Sequence, residues 1–464
     1  MILQSTHRRQ FLQTSAATML ASYLASTQPF ARGQERGVRP LRDNRVQVLN
    51  PRNRVPVSWI IDDSTCLVNL NRFAIPQFAT AWGGGPFDHD WRAMPAEIPD
   101  SFVIDFGTWC AEHGVKGKYS IVPFPACVGR LDRELPGWTR RQVDDSLDVV
   151  RRVMLPNWDI HPEMVTHTWV IDPQTGHPFT ERSKRFMENW DWTTGRSTDE
   201  LAHYLAYALK ILRNVNLPCE GITTPGGFGN RVLPELSQAT FESCRDVYRT
   251  EIPHYFRHLY DSGDTSVAPR VEYAQDLNTS DPRCVVSIIG CTGDWTGGWD
   301  CRGEIEVDRF ISEDLSTGRL IEVIERGEPA IMVCHWTGIY YNGQQLGFQA
   351  LQQVVTRLHQ RYDNLIWMKL SEIARYWAAK ELTSIQPNPD SNVWQIDAPF
   401  ATPHFTLQLP GPVTAAPQIS QSGEIAKLKP VASLALLESG TYFTASDTTV
   451  VCWDLRRGHA RITT

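Results

Sequence analysis

The amino-acid sequence predicts an α/β protein, a distorted (β/α) barrel followed by a small β-rich C-terminal module. Three observations carry this expectation. From about residue 55 to residue 384, short β-rich runs alternate with amphipathic helical segments, which is the pattern of a parallel sheet. The stretch is long enough for a barrel rather than a short open sheet. After "KLSEIARYWAAKEL" the composition turns to Pro, Thr and Ser with short alternating runs such as "HFTLQL" and "TYFTAS", the pattern of a small β-rich unit over residues 385–464, with a sandwich as its candidate form.

Taken in order, the first residues, "THRRQFLQTSAATMLASYLAS", place Arg8 and Arg9 before an apolar, small-residue stretch, with no acid before Glu35. This resembles a twin-arginine export signal over residues 1–31, followed by a linker over residues 32–54. The competing reading is an amphipathic surface helix. The apolar stretch is too short to span a bilayer, so the mature chain is expected to be periplasmic or extracellular and to carry no integral membrane segment. The run "VSWII" then reads as the first strand, ending at Asp62 and Asp63. "SFVIDFGTWCAEHG" reads as a helix with "KYSIVPF" as the strand behind it, and the helical "TRRQVDDSLDVVRRVML" precedes the strand-like "EMVTHTWVI". In "STDELAHYLAYALKILRN", Ser197 and Glu200 form a capping box, and Leu201, Tyr204, Leu205, Ala208 and Leu212 make one apolar stripe. "CEGITT", "CVVSIIG", "PAIMVCHW" and "NLIWMK" supply further strands.

The formal charge is −7, and loss of the leader, with two arginines and no acid, takes it to −9. Phosphate binding needs a basic face, so no nucleic-acid partner is expected. The ten cysteines contain no CxxC pair, which sets aside a zinc ribbon and a thioredoxin motif. An oxidising compartment would permit disulfides, with Cys284, Cys291 and Cys301 the nearest local partners.

In a parallel barrel the reactive groups come from the C-terminal ends of the strands. Five places there carry polar residues: Asp62-Asp63 after "VSWII", His167-Thr168 in "EMVTHT", "TTPGGFG" after "CEGI", Asp294-Trp295 in "GCTGDWTGGW", and His335 closing "AIMVCH". Two adjacent carboxylates within a strand would drive one into the core, at several kcal/mol unless paired. At a strand end both reach a cleft, or the pair serves a turn and a helix N-cap. His167 by itself reads sooner as a hydrogen-bonded strand histidine, a reading that its place among the five brings level with the functional one, and Asp294, among glycines, reads as a turn residue. "PGGFG" lacks the Lys and Ser/Thr of a phosphate loop and reads as a tight turn.

The order and chemistry of these five places resemble the polysaccharide deacetylase family, also called the NodB-homology or carbohydrate esterase family 4 fold. That family opens with a strand ending T-F-D-D-G, here "IIDDS"; its H-[ST]-x-x-H motif is met by "HTWVI" with Ile171 for the second His. Its R-x-P-x-G motif becomes "TTPGG" with Thr223 for the arginine, and its closing L-x-H strand is "IMVCH". The resemblance implies a barrel of polysaccharide-deacetylase type over residues 55–384. It also implies Asp62 as general base, His335 as general acid, and Asp63 and His167 as ligands of a divalent metal of the zinc type. The activity implied is metal-dependent removal of N- or O-linked acetyl groups from a carbohydrate substrate. With Ile171 in the motif a third metal ligand is missing, and His161, Asp172 and His177 are candidates for it. Two rivals stand beside this reading. One is a carbohydrate-binding protein on the same scaffold that has lost its metal. The other is a glycoside hydrolase, in which Asp62 needs an acidic partner about 5–9 Å away and Asp294 is the candidate.

Overall fold

A computed structural model describes residues 39–388 and 392–464, so the expected leader lies outside the described residues. The parallel strands are β1 (Val55–Asp62), β2 (Gly117–Ser120), β3 (Trp158–His161), β4 (Gly221–Thr223) and β5 (His254–Leu259). After an antiparallel edge strand, β6 (Arg270–Gln275), come β7 (Arg283–Gly290), β8 (Ala330–His335) and β9 (Leu365–Trp367). They make two sheets, not one closed barrel: β8-β1-β2-β3, with β9 also on β1, and β4-β5-β7-β6. Where the sheets meet, an isolated bridge joins Glu163 to Thr223, and at the other seam the Cys291 N–H donates to the Ile331 carbonyl at 2.7 Å.

Alternation along β1 explains how its fully buried sequence, VPVSWIID, is used. Val57, Trp59 and Ile61 face the flanking helices and join a core with Phe102, Phe106 and Val355. Ser58, Ile60 and Asp62 face the other way and lie in register with Ile331, Val333 and His335 of β8. On the next strands the same face carries Lys118 and Ser120, paired with Asp159 and His161. The helix Leu370–Leu382 seats Leu370, Ile373, Ala374 and Trp377 against Ile60, Phe256, Ile288, Ile331 and Val333, so apolar packing fills one end of the interior. Polar side chains collect at the other.

Local sequence rules account for the helix starts. Thr139 with Gln142 and Ser197 with Glu200 each form a reciprocal capping box at Arg140–Val149 and Thr198–Asn214. The strand expected in "EMVTHTWVI" is displaced. β3 is "WDIH", which ends at His161, and the residues after it form a buried loop. Beyond residue 383, two five-stranded sheets enclose Ile385, Trp394, Phe405, Leu407, Val451, Trp453 and Ile462. Gln47–Val48, within the stretch expected to be a linker, pairs with Thr402–Pro410 in one of them. All ten cysteines are free thiols, so the expected pairing among Cys284, Cys291 and Cys301 does not form. Among the described residues no helix is long and apolar enough to cross a membrane.

If the helix Leu370–Leu382 plugs the interior, Ile373→Ala, at a fully buried position, will destabilise the protein by about 2–5 kcal/mol through lost contact and a cavity. Ser197→Ala, which removes only a cap, will cost about 1 kcal/mol. Urea unfolding of both variants checks the ranking; equal losses would contradict it.

Candidate metal centre

Asp62 and Asp63 part company where β1 ends. Asp62 keeps the inward direction of its strand, and the Lys118 ammonium, fully buried, forms an ion pair with its carboxylate. Lys118 also donates to the Ile61 carbonyl at 3.1 Å and to Ser120 Oγ at 2.7 Å, so all three of its protons are used. Burial and the nearby Glu163 charge push the Asp62 carboxyl up to about 6, although Lys118 and His335 pull the other way. Asp63 turns into the left-handed region, with φ of 60°. This costs a non-glycine residue of order 1–3 kcal/mol and is sustained only where the surroundings enforce it. Here its N–H donates to Glu163 Oε2 at 2.8 Å.

The loop after β3 brings the partner group. His167, also left-handed at φ 64°, places Nε2 2.8 Å from Asp63 Oδ1 and 3.3 Å from Glu163 Oε1. One ligand atom from each of Asp63, Glu163 and His167 lies within 4.8 Å of the others, and all three residues are buried. Asp63 Oδ1 and His167 Nδ1 have no aligned hydrogen-bond partner among the described residues. Burial opposes a charge on His167, but Asp63 and Glu163 outweigh it and raise the imidazole well above its ordinary value. Burial likewise opposes the Glu163 carboxylate, and His167, with Lys118 and the Asp63 N–H, still holds it down to about 2.

A second carboxylate shapes that loop. Glu188 Oε1 accepts the N–H groups of Val165 and Thr166 at 3.1 Å, and Oε2 accepts those of Thr166 at 3.1 Å and His167 at 2.5 Å. Three successive backbone donors around this one carboxyl group form a nest, although burial pushes it up to about 7. The Tyr204 hydroxyl also donates to Glu188, which ties the loop to the apolar stripe of the helix Thr198–Asn214.

His335 sits beside Asp62 in register across β8 and β1. Its Nδ1–H donates to Asp294 Oδ2 at 2.7 Å. Burial opposes the imidazolium, yet Asp63, Asp294 and Asp62 hold its pKa up to about 10. Asp294 is the turn residue expected, with Oδ1 accepting from Thr296 N at 3.0 Å, and it orients His335 as well. Its carboxyl, which burial alone would raise, is held below the ordinary value by His335 and Thr296.

The four residues singled out by sequence thus come together at one end of the strands: Asp62 against His335, and Asp63 against His167. The three candidates for a third ligand do not join them. His161 Nε2 is 2.9 Å from His254 Nε2, and burial lowers both imidazoles, His254 to about 4, so the pair is neutral and hydrogen-bonded. Asp159 beside it spends both oxygens on Ser371, at 2.6 Å to N and 2.9 Å to Oγ. Asp172 and His177 pair with each other in a short hairpin, where Asp172 holds the turn N–H of Gln174. The residue beside Asp63 and His167 is Glu163. An acid in the otherwise apolar run "IHPEMV" was the available signal, the same one that drew attention to Asp62 and Asp63. Lys118, a lysine inside a buried strand, carries a signal of the same kind. "TTPGG" is a turn as expected: Gly226 has φ 44°, and a Cβ there would meet the Asn189 carbonyl at 2.6 Å.

No family model matches the chain, and neither does any curated protein. Among solved structures, one from Parabacteroides distasonis described as a "putative glycoside hydrolase/deacetylase" covers 78% of this chain and 82% of its own, with a TM-score of 0.39 and 11% identity. At that similarity the likeness carries no argument about chemistry.

The Glu188 nest is testable without reference to any ligand. Glu188→Ala strips charge-assisted partners, each worth about 1.5–3 kcal/mol, from three buried N–H groups. It will lower unfolding stability by about 3 kcal/mol or more, with Glu188→Gln losing less because one acceptor oxygen remains. A loss below about 0.5 kcal/mol for the alanine variant would contradict the nest.

Proposed function

We propose that this chain is a metal-dependent hydrolase that removes acetyl groups, N- or O-linked, from a carbohydrate. The observation that carries the reading is the buried convergence of Asp63, Glu163 and His167, directly beside Asp62 and His335. One imidazole and two carboxylates suit a divalent ion, and zinc is our assignment. The same reading takes the two parallel sheets as parts of a distorted barrel over residues 55–384, and the twin-arginine-like leader as an export signal.

A divalent ion held by these three side chains would polarise the acetyl carbonyl and acidify the attacking water. Asp62 accepts the water's proton as the new C–O bond forms, and a carboxyl near 6 is matched to that task at neutral pH. Lys118 keeps the Asp62 charge tolerable in a buried site and relaxes its hold as the carboxyl protonates. His335, kept protonated by the surrounding carboxylates and fixed through Nδ1 by Asp294, donates its Nε2 proton to the departing nitrogen or oxygen. The C–N or C–O bond breaks, and acetate and the free amine or hydroxyl leave. The complete donor set, with Glu163 in the position the broken motif left open, favours this reading over a scaffold that has lost its metal. Asp294 is committed to His335, which disfavours it as the free second acid of a glycoside hydrolase.

Metal content and acetate release from acetylated chitin or xylan oligomers test the assignment. Asp63→Ala and Glu163→Ala will lose the bound divalent ion, whereas Asp62→Asn will retain it and lose about a hundred- to ten-thousand-fold in turnover. Wild-type protein that takes up no divalent metal overturns the proposal.

The pH profile follows from the same groups. On the acid side protonation of Asp62 removes the acceptor, and on the alkaline side His335, which the surrounding carboxylates hold above its ordinary value, loses the proton it gives. A plot of kcat/KM will therefore be bell-shaped between these limbs, and His335→Gln will remove the alkaline one. An alkaline limb that survives in that variant would contradict the role of His335.

A further inference from the structure

The face beside the metal centre is aromatic and then basic. Phe78 lies 6.3 Å from the His167 ring, 5.4 Å from Trp190 and 5.9 Å from Trp299, centroid to centroid. Trp190 is 5.1 Å from Trp82, and the Lys184 ammonium sits 3.1 Å from the Trp82 ring centre. Trp82, Trp190 and Trp299 are each partly exposed. Next along the chain, Arg185, Arg196 and Arg231 converge with Asp191, Trp192 and Thr194 on a cleft of about 390 Å³. Arg196 is paired with Glu200 at 2.7 Å and lies over Trp192. Arg182, Lys184, Arg185 and Arg231 have no acidic partner within 4.0 Å among the described residues. Three arginines against one carboxylate, Asp191, line this cleft, in a chain whose formal charge is −7. The loop that carries Arg185 also carries Glu188, so rim and metal loop are joined through one short segment.

Such an arrangement fits one chemistry. The part of an indole left exposed gives a sugar ring apolar surface, while guanidinium forks match a carboxylate in two-point geometry. We propose that this rim is a subsite for a carboxylate-bearing sugar, so that the carbohydrate taken by this site is an acidic, uronate-containing glycan. The uronate carboxylate is held by Arg185 and Arg231, and its ring or that of its neighbour stacks on the indole surface nearer the metal. This rests on the reading of the site as carbohydrate-directed.

The test is direct binding to the full-length Asp62→Asn protein, in which turnover does not interfere. The two probes are a glucuronic-acid-substituted xylo-oligosaccharide and the unsubstituted oligosaccharide of equal length. The acidic probe will bind about tenfold more tightly, its advantage will shrink with added salt, and the exposed-site double variant Arg185→Ala/Arg231→Ala will abolish that advantage while leaving the neutral probe unaffected. Equal affinities for the two probes, or an acidic preference that survives the double variant, overturn the subsite. Acetate release from neutral acetylated oligomers by wild type is measured in parallel. If it occurs without an acidic preference, the subsite fails and the hydrolase stands; if the preference appears and no acetylated substrate is turned over, the hydrolase fails and the subsite stands.

Discussion

Charge taken out of water must be balanced where it is buried, and this constraint organises the end of the sheets. Asp62, Asp63 and Glu163 are 5%, 2% and 2% exposed, and the Asp294 side chain is 10% exposed. Facing these four carboxylates are Lys118, His167 and His335, the groups around them able to carry positive charge. Even with both imidazoles protonated the set keeps an excess negative charge, and an uncompensated buried ion costs several kcal/mol. Replacing the proton of His167 by a divalent ion brings the set to neutrality. With left-handed backbone, Asp63 and His167 bring their side chains together beside Glu163 and give their N–H groups to Glu163 and Glu188.

The rest of the fold serves to hold that arrangement still. Parallel register sets Asp62 level with His335 and Lys118 level with Ile60, so these three side chains face one space without any loop having to find them. The donor that needs a loop, His167, is held by a carboxylate bound to three amides and anchored by Tyr204 to a capped helix. Below, the helix Leu370–Leu382 excludes water with aliphatic side chains, and Asp159 ties its first turn to β3.

What the sequence made legible followed from short-range rules. Alternation located β1, β7 and β8, the Ser197 box located its helix, and polar residues at strand ends located Asp62, Asp63 and His335. What it hid depended on long-range geometry. β3 stops at His161 because the chain from Pro162 onward is drawn to Glu188 and Thr223, partners distant in sequence. "EMVTHTWVI" therefore looks like a strand and is not one. Glu163 does not stand out in the sequence as a partner of Asp63, which lies a hundred residues earlier. His161 was weighed as a ligand because a lone sequence does not reveal that His254 already occupies it. The isolated bridge at one seam, the Cys291–Ile331 hydrogen bond at the other and the contribution of Gln47–Val48 to the C-terminal sheets belong to the same class of long-range pairing.

The described residues hold two groups of three ligand-type side chains, Asp63, Glu163 and His167 on one hand and Asp159, His161 and His254 on the other. They differ in charge: in the second, the imidazoles satisfy each other and Asp159 caps a helix, whereas the first gathers two carboxylates around one imidazole. The most direct measurement is anomalous scattering from crystals equilibrated with zinc. The account predicts one strong peak bounded by Asp63, Glu163 and His167 at about 2.0–2.2 Å from their donor atoms. A peak at Asp159, His161 and His254, or none at Asp63, would contradict it.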